Sequence, residues 1–305
     1  MDLLNISDER DLGRLAGVGP SRRPPIMLIG ATSILGFNVL LRGGGDVYPV
    51  ANPNNRLAAD RGWERLEAAN AAAVEALLAR QRPDIVLYSD AVCDVSKCET
   101  NPRWARSINV ENLEILLASL APTTRLVYVS SDHVFGGDGV YDETSTVAPI
   151  SVYGETRVEA EERVFAHPGS LLIRVGLPVG RSLDGRTGHL DWLRYRQRRG
   201  LPMTIIRDER RSAVWAEDAA DRILALAKSN VIGCRHLVAT ESVLRPDLAA
   251  ALLGHMGLSP CFEVAGRAQQ PYPHLGEVEL ATVFEDALAT PLEGAMARCV
   301  HGLPS

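Results

Sequence analysis

The chain has no Cys-x-x-Cys pair, no His-Glu-x-x-His spacing, no long apolar run and no block of like charge, and each absence removes a class of protein. Its five cysteines, Cys93, Cys98, Cys234, Cys261 and Cys299, leave one over in any disulfide scheme, so a reducing compartment is expected and a zinc site is not. The seven histidines lack metal-ligand spacing, and no metal is expected. The first ten residues carry acids and lack the apolar stretch of a signal peptide or membrane anchor, which points to a cytoplasmic chain with no membrane partner. Lys and Arg are scattered and the net charge is −6, so the electrostatic footprint of a nucleic-acid binder is missing. The one basic run, residues 194–199, reads as a solvated helix face or as a contact for an anionic substrate. Internal repeats and low-complexity tracts are also absent.

What is present describes an ordinary globular chain: 305 residues, 46% hydrophobic and 23% charged, enough for one large or two intimate domains. Residues 1–24 read as an extension with a short helix near residues 8–15, ending at Gly19-Pro20 and Pro24-Pro25. Short apolar runs at 25–29, 47–51, 84–88, 125–130 and 171–175 read as buried strands. Helical patterns alternate with them, from Ile34 to about residue 41 and at 70–80, 101–120 and 152–165, while 136–149 is polar and reads as a loop. This alternation predicts an α/β, Rossmann-type doubly wound parallel sheet over residues 25–180. Beyond Gly176 the pattern loosens into helices at 190–199, 216–228 and 246–256 and extended pieces at 203–206 and 236–239. Residues 181–305 therefore read as a smaller substrate lobe, with one core strand returning near 236–239.

The first strand runs into Gly30-Ala31-Thr32-Ser33-Ile34-Leu35-Gly36. A glycine-rich strand-to-helix turn lets backbone N–H groups approach a pyrophosphate at the positive end of the helix, and Gly30, Thr32, Ser33, Ile34, Leu35 and Gly36 are the candidates here. Ser33 replaces the usual middle glycine and offers its hydroxyl to a phosphate; the bland reading is a tight turn with no ligand. An adenosine ribose with a free 2′-hydroxyl is usually met by an acid about 20 residues further on. This chain has Asn52-Pro53-Asn54-Asn55-Arg56 instead, so with Asn52 and Arg56 nearby NADP(H) is favoured over NAD(H), unless Arg56 is an ordinary loop cation. Further along, Tyr153 and Arg157 are four residues apart, one helical turn, downstream of Ser130-Ser131. A hydride-transfer site built from Ser, Tyr and Lys needs that spacing, and Arg stands in the place of Lys.

Val129-Ser130-Ser131-Asp132-His133-Val134-Phe135, then Tyr141-Asp142-Glu143, Pro149 and Val152-Tyr153-Gly154-Glu155-Thr156-Arg157, resemble the extended short-chain dehydrogenase/reductases, most closely the dTDP-4-dehydrorhamnose reductase group. Arg82-Pro83-Asp84, Asp94-Val95-Ser96-Lys97-Cys98-Glu99 and Asn109-Val110 extend the likeness over roughly residues 25–180, and it continues more faintly past Ser212. The resemblance implies that Ser131, Tyr153 and Arg157 occupy the catalytic Ser/Thr, Tyr and Lys positions. It implies that Asp90, Ala91 and Asn109 border the cofactor, and that Asp132, His133, Val175 and Arg211 meet the substrate, with Trp192, Arg194 and Arg210 in the same region. Tyr88-Ser89-Asp90 departs from the family, which has an Asn and small alanines there; Asp90 either faces a dinucleotide or turns outward as a cap. The implied function is reduction of a 4-keto nucleotide sugar or related carbonyl in deoxysugar or natural-product biosynthesis, as a chain for which a homodimer is compatible. A silent nucleotide-binding regulatory subunit, like that of methionine adenosyltransferase, and an epimerase or dehydratase are the alternatives.

Overall fold

The computed structural model describes residues 25–239 and 241–285, so the expected helix near residues 8–15 and Cys299 lie outside the described part. In chain order the strands are β1 (Ile26–Ile29), β2 (Val47–Ala51), β3 (Glu64–Arg65), β4 (Ile85–Tyr88), β5 (Arg125–Ser131), β6 (Gly139–Tyr141) and β7 (Leu171–Val175). They continue with β8 (Leu177–Val179), β9 (Thr204–Ile206), β10 (Arg210–Trp215), β11 (Gly233–Leu237), β12 (Ser242–Leu244), β13 (Glu263–Ala265) and β14 (Glu277–Leu280). A central sheet of seven strands runs β11-β7-β5-β4-β1-β2-β3, every neighbouring pair parallel. Strand order reverses between β1 and β4, which is where open α/β sheets form a crevice at the strands' carboxyl ends.

The central strands are apolar throughout because both faces are covered. One face packs Ile26, Leu28, Leu87 and Val127 under the helices Ile34–Gly43 and Ala216–Ala227. The other packs Met27, Val86, Leu126 and Leu172 under Ala71–Gln81, Asn112–Ser119 and Val152–Phe165. Each such side chain contributes roughly 1.5–3 kcal/mol on burial. The helices start where side chains cap them: Ser33, Asn70 and Ser151 each accept a first-turn backbone N–H.

Beyond β7 the chain changes layer at Gly176, where an added Cβ would lie 2.0 Å from the Ser212 carbonyl oxygen. That close approach sets β8 beside β10, and β10 joins β12, β14 and β6 in a second sheet. The helices Gly188–Arg198 and Arg245–His255 cover it through Leu190, Leu193, Leu248 and Leu252.

Three local expectations change. The helix expected over 101–120 is broken into Pro102–Arg106, a wide five-residue π turn Ser107–Glu111, and Asn112–Ser119. The polar loop 136–149 contains β6, which pairs with β14. The returning core strand is Gly233–Leu237 rather than 236–239, its register fixed by Gly233 opposite Leu171 and Leu237 opposite Val175. In the basic run, Arg194 pairs with Asp191, Arg196 donates to the Pro202 carbonyl, and Arg199 lies over Tyr195. No helix among the described residues is long and apolar enough to cross a membrane.

Candidate active site

The turn after β1 is built on two close approaches. Gly30 has φ +89° and a Cβ there would lie 2.5 Å from the Asp90 backbone nitrogen; a Cβ on Gly36 would lie 2.1 Å from the Gly30 carbonyl oxygen. Only glycine fits either place. Ser33 caps the helix by accepting Gly36 N–H at 2.9 Å, which uses a lone pair and not the hydroxyl proton, and it shares a hydrogen bond with Ser89 Oγ at 3.0 Å. Among the described residues the Ile34 and Leu35 N–H groups have no acceptor, as first-turn donors commonly lack one. The Leu35 side chain is core, and Thr32 is half-buried. The turn thus fits an anionic pyrophosphate through backbone donors at a helix N-terminus. Asn52 makes a local turn to Asn54 N–H, and Arg56 is exposed on the first turn of the helix Arg56–Asp60.

Ser131 ends β5 and Tyr153 lies in the first turn of the helix Val152–Phe165, and both face the carboxyl rim of the sheet. Burial pushes the Tyr153 phenol up to about 12, the nearby Arg157 charge and the Ser131 hydroxyl opposing the shift. His133 stands edge-on to the Tyr153 ring with centroids 5.1 Å apart; burial, reinforced by Arg211, lowers its imidazole to about 4, so it is neutral at neutral pH. Arg157 is 2% exposed. Its guanidinium donates to the Val129 carbonyl and lies 4.7 Å over the Tyr128 ring, while Nε and Nη1 have no partner among the described residues. The Tyr88 and Tyr128 hydroxyls are likewise buried and without a partner among the described residues. Asp90 has its carboxyl raised by burial, with Arg157 opposing. Unsatisfied donors and an uneasy carboxylate at the switch point fit a polar group larger than the residues around them.

Asn109 is brought to this region but its amide is fully engaged. It accepts Val92 N–H at 2.8 Å and donates to the Val92 carbonyl at 3.1 Å and to Thr156 Oγ1 at 2.9 Å. It therefore ties the segment after β4, which includes Ala91, to the helix bearing Tyr153 and Arg157. Asn109→Ala leaves the Val92 N–H without its acceptor and removes one contact each from the Val92 carbonyl and the Thr156 hydroxyl, and we expect a loss of about 2–3 kcal/mol in urea unfolding. A loss below about 0.5 kcal/mol would show that water replaces the amide.

A cavity of about 520 Å³ is lined by His133 and Arg211 together with His189, Trp192, Glu209, Arg245 and Tyr272. Asp132 and Arg211 form a buried bidentate pair, Nη2 reaching Oδ1 at 2.6 Å and Nε reaching Oδ2 at 2.9 Å. Arg211 also pairs with Glu209 at 2.9 Å, and Glu209 with Arg245 at 3.1 Å. Arg211 is therefore not a free cation awaiting a diphosphate. Arg210 faces Glu277 and the Ser242 carbonyl, and Arg194 faces Asp191, so neither lines the cavity. Val175 does not reach it either: its side chain packs in the core beneath the helix Ala216–Ala227. His189, Glu209, Arg245 and Tyr272 are not singled out by the motifs, because nothing in their spacing marks them as neighbours.

A doubly wound sheet with a glycine turn at its switch point, and with Ser131 and Tyr153 at its rim, defines a Rossmann-type protein of the extended short-chain dehydrogenase/reductase class. The chain belongs to the family described as RmlD substrate binding domain, whose match covers residues 24–277. It is 31% identical over 242 residues, 77% of this chain and 78% of the relative, to a probable dTDP-4,6-dihydroxy-2-methyloxan-3-one 4-ketoreductase of Streptomyces antibioticus. It is also 32% identical over 164 residues to methionine adenosyltransferase 2 subunit beta of Xenopus tropicalis, covering 53% of this chain and 48% of that protein. In fold it matches a dTDP-4-dehydrorhamnose reductase of Bacillus anthracis solved with NADP, with TM-score 0.77 and 19% identity over 91% of this chain and 98% of that one.

Proposed function

We propose that this chain is a nicotinamide-dependent reductase that acts on the keto group of a nucleotide-linked sugar or a related carbonyl, in deoxysugar or natural-product biosynthesis. The observation that carries the reading is the placement of Ser131 and Tyr153 together at the rim of the sheet, with His133 joining Tyr153 to the cavity wall. The nucleotide-sugar ketoreductase relative supports the substrate class. In this reading residues 25–180 hold the dinucleotide and residues 181–305 shape the substrate side.

When bound, a reduced nicotinamide supplies hydride to the substrate carbonyl. The Ile34 and Leu35 N–H groups and the glycine turn would hold its pyrophosphate, and Arg157 would supply positive charge on the nicotinamide side. Tyr153, protonated at neutral pH, gives its phenolic proton to the developing alkoxide, and Ser131 hydrogen-bonds the same oxygen. Arg157 supplies a fixed positive charge but no transferable proton.

NADP(H) is the preferred cofactor in this reading, because no carboxylate stands between Ala51 and Arg56 to repel a 2′-phosphate. Arg56 is the cation that receives it. We expect NADPH to bind about tenfold or more tighter than NADH in calorimetry, and Arg56→Glu to remove that preference. Equal affinities in the unaltered protein would refute the assignment.

A second reading is favoured by one observation: the Arg157 guanidinium is engaged by Val129 and Tyr128 rather than held at Tyr153. A silent nucleotide-binding subunit would bind NADPH and turn over no keto sugar, either as it stands or as Arg157→Lys. Turnover of a keto-sugar nucleotide panel, followed as NADPH consumption, separates the two.

A further inference from the structure

Ser131 carries one hydroxyl proton, and the hydrogen bonds around it show where that proton goes. Its Oγ donates to Asp132 Oδ1 at 3.2 Å and accepts the His133 backbone N–H at 3.3 Å. The second contact caps the short turn Asp132–Val134 and occupies a lone pair, not the proton. Stabilising an alkoxide requires the same proton, because a hydroxyl helps a developing oxyanion only by donating to it. The Tyr153 phenol is a further neighbour of the same hydroxyl, so Asp132, Tyr153 and the substrate oxygen compete for one O–H.

Asp132 is wholly buried, and it is not an unshared carboxylate. Arg211 reaches Oδ2 from Nε at 2.9 Å and from Nη2 at 2.7 Å, and reaches Oδ1 from Nη2 at 2.6 Å. The guanidinium is fixed from its far side by Glu209, itself held by Arg245. Of these three charge-assisted contacts one falls on Oδ1, the oxygen that Ser131 addresses, and two on Oδ2; together they temper the carboxylate, which makes the Ser131 O–H easier to turn away. The pair also spans the fold: Asp132 follows β5 of the central sheet, and Arg211 lies on β10 of the second.

We propose that Asp132, tempered by Arg211, is a positioning residue that holds the Ser131 proton in the resting site and releases it to the substrate oxygen. No covalent bond changes; the Ser131 O–H only changes direction. The kinetic consequence rests on the reductase reading above, whereas the effect on Tyr153 does not.

The test is a double-mutant cycle of Asp132→Asn and Ser131→Ala in the full-length protein, assayed with NADPH and a nucleotide-linked 4-keto sugar. Asp132→Asn weakens the competing acceptor, so it raises kcat roughly tenfold with KM within about twofold, and it has less than about a twofold effect when combined with Ser131→Ala. Equal factors in both backgrounds, or no effect in either, overturn the proposal. The same cycle is read without turnover by titrating the Tyr153 resonance in tyrosine-labelled protein, assigned by its loss in Tyr153→Phe. Asp132→Asn lowers the Tyr153 midpoint by about one pH unit more when Ser131 is intact than in the Ser131→Ala background, because the freed hydroxyl then donates to the phenolate. Equal shifts in both backgrounds reflect the lost charge alone and overturn it. Arg211→Lys keeps the charge and loses the fork, so it serves as a second variant if Asp132→Asn does not fold, with the same dependence on Ser131 expected. A coupled shift of Tyr153 in a protein without turnover sinks the reductase reading and leaves this one standing.

Discussion

Replacing Tyr153 by Phe is expected to lower kcat for keto-sugar reduction roughly a thousandfold while leaving NADPH affinity within about twofold, because the change removes a general acid and almost no contact area. The Tyr153 ring is 6% exposed and packs with Cys98, Ala105 and the edge of His133, and Phe keeps those contacts. Folding should therefore survive, and the loss should fall on the chemical step. The pH dependence follows from the same phenol. With its pKa pushed up to about 12 by burial, Tyr153 stays protonated through neutral pH, so reduction should not fall as pH rises from about 6 to about 9. The reverse oxidation needs the phenolate and should rise about tenfold per pH unit over the same range. A reduction rate that falls tenfold between about pH 7 and about 8 would place a different group in the acid role.

Arg157→Lys is expected to raise kcat about tenfold. A guanidinium is a wide fork, and here it is held by the Val129 carbonyl and the face of Tyr128. A lysine ammonium is a compact charge on a flexible stem and is free of the stacking geometry, so it can sit nearer the phenol. A closer charge lowers the Tyr153 pKa, and the pH at which reverse oxidation reaches its plateau should fall by about one unit. The measurement is a pair of pH–rate profiles, one for each form. A tenfold loss in the Lys form would instead mean that the docked guanidinium is itself required, with Tyr128 as its platform.

The strands of the central sheet are readable because burial on both faces leaves Ile26–Ile29, Ile85–Tyr88 and Leu171–Val175 as uninterrupted apolar runs. The π turn Ser107–Glu111 is not, since it adds a single residue to one turn and no residue type marks where that residue enters. β6 is hidden for another reason: Gly139–Tyr141 is a short strand in a polar stretch, and its partner Glu277–Leu280 is far along the chain. At the site, the spacing of Tyr153 and Arg157 marks both residues, but the direction of the guanidinium depends on Tyr128 and Val129 of another element. The ion chain from Asp132 through Arg211 and Glu209 to Arg245 carries no local signature, because the second sheet brings distant segments together. Ser33 is a further case: its position is plain from the motif, while its helix-capping contact to Gly36 N–H depends on the geometry of the turn.

Calorimetric titration of the purified full-length protein with NADPH tests the reading most directly. Saturable binding of one equivalent, with a dissociation constant of about micromolar order, is the expected result, and Gly36→Val should remove it by pushing a side chain against the Gly30 carbonyl. Absence of binding at about millimolar NADPH, by a protein that is folded, would contradict it.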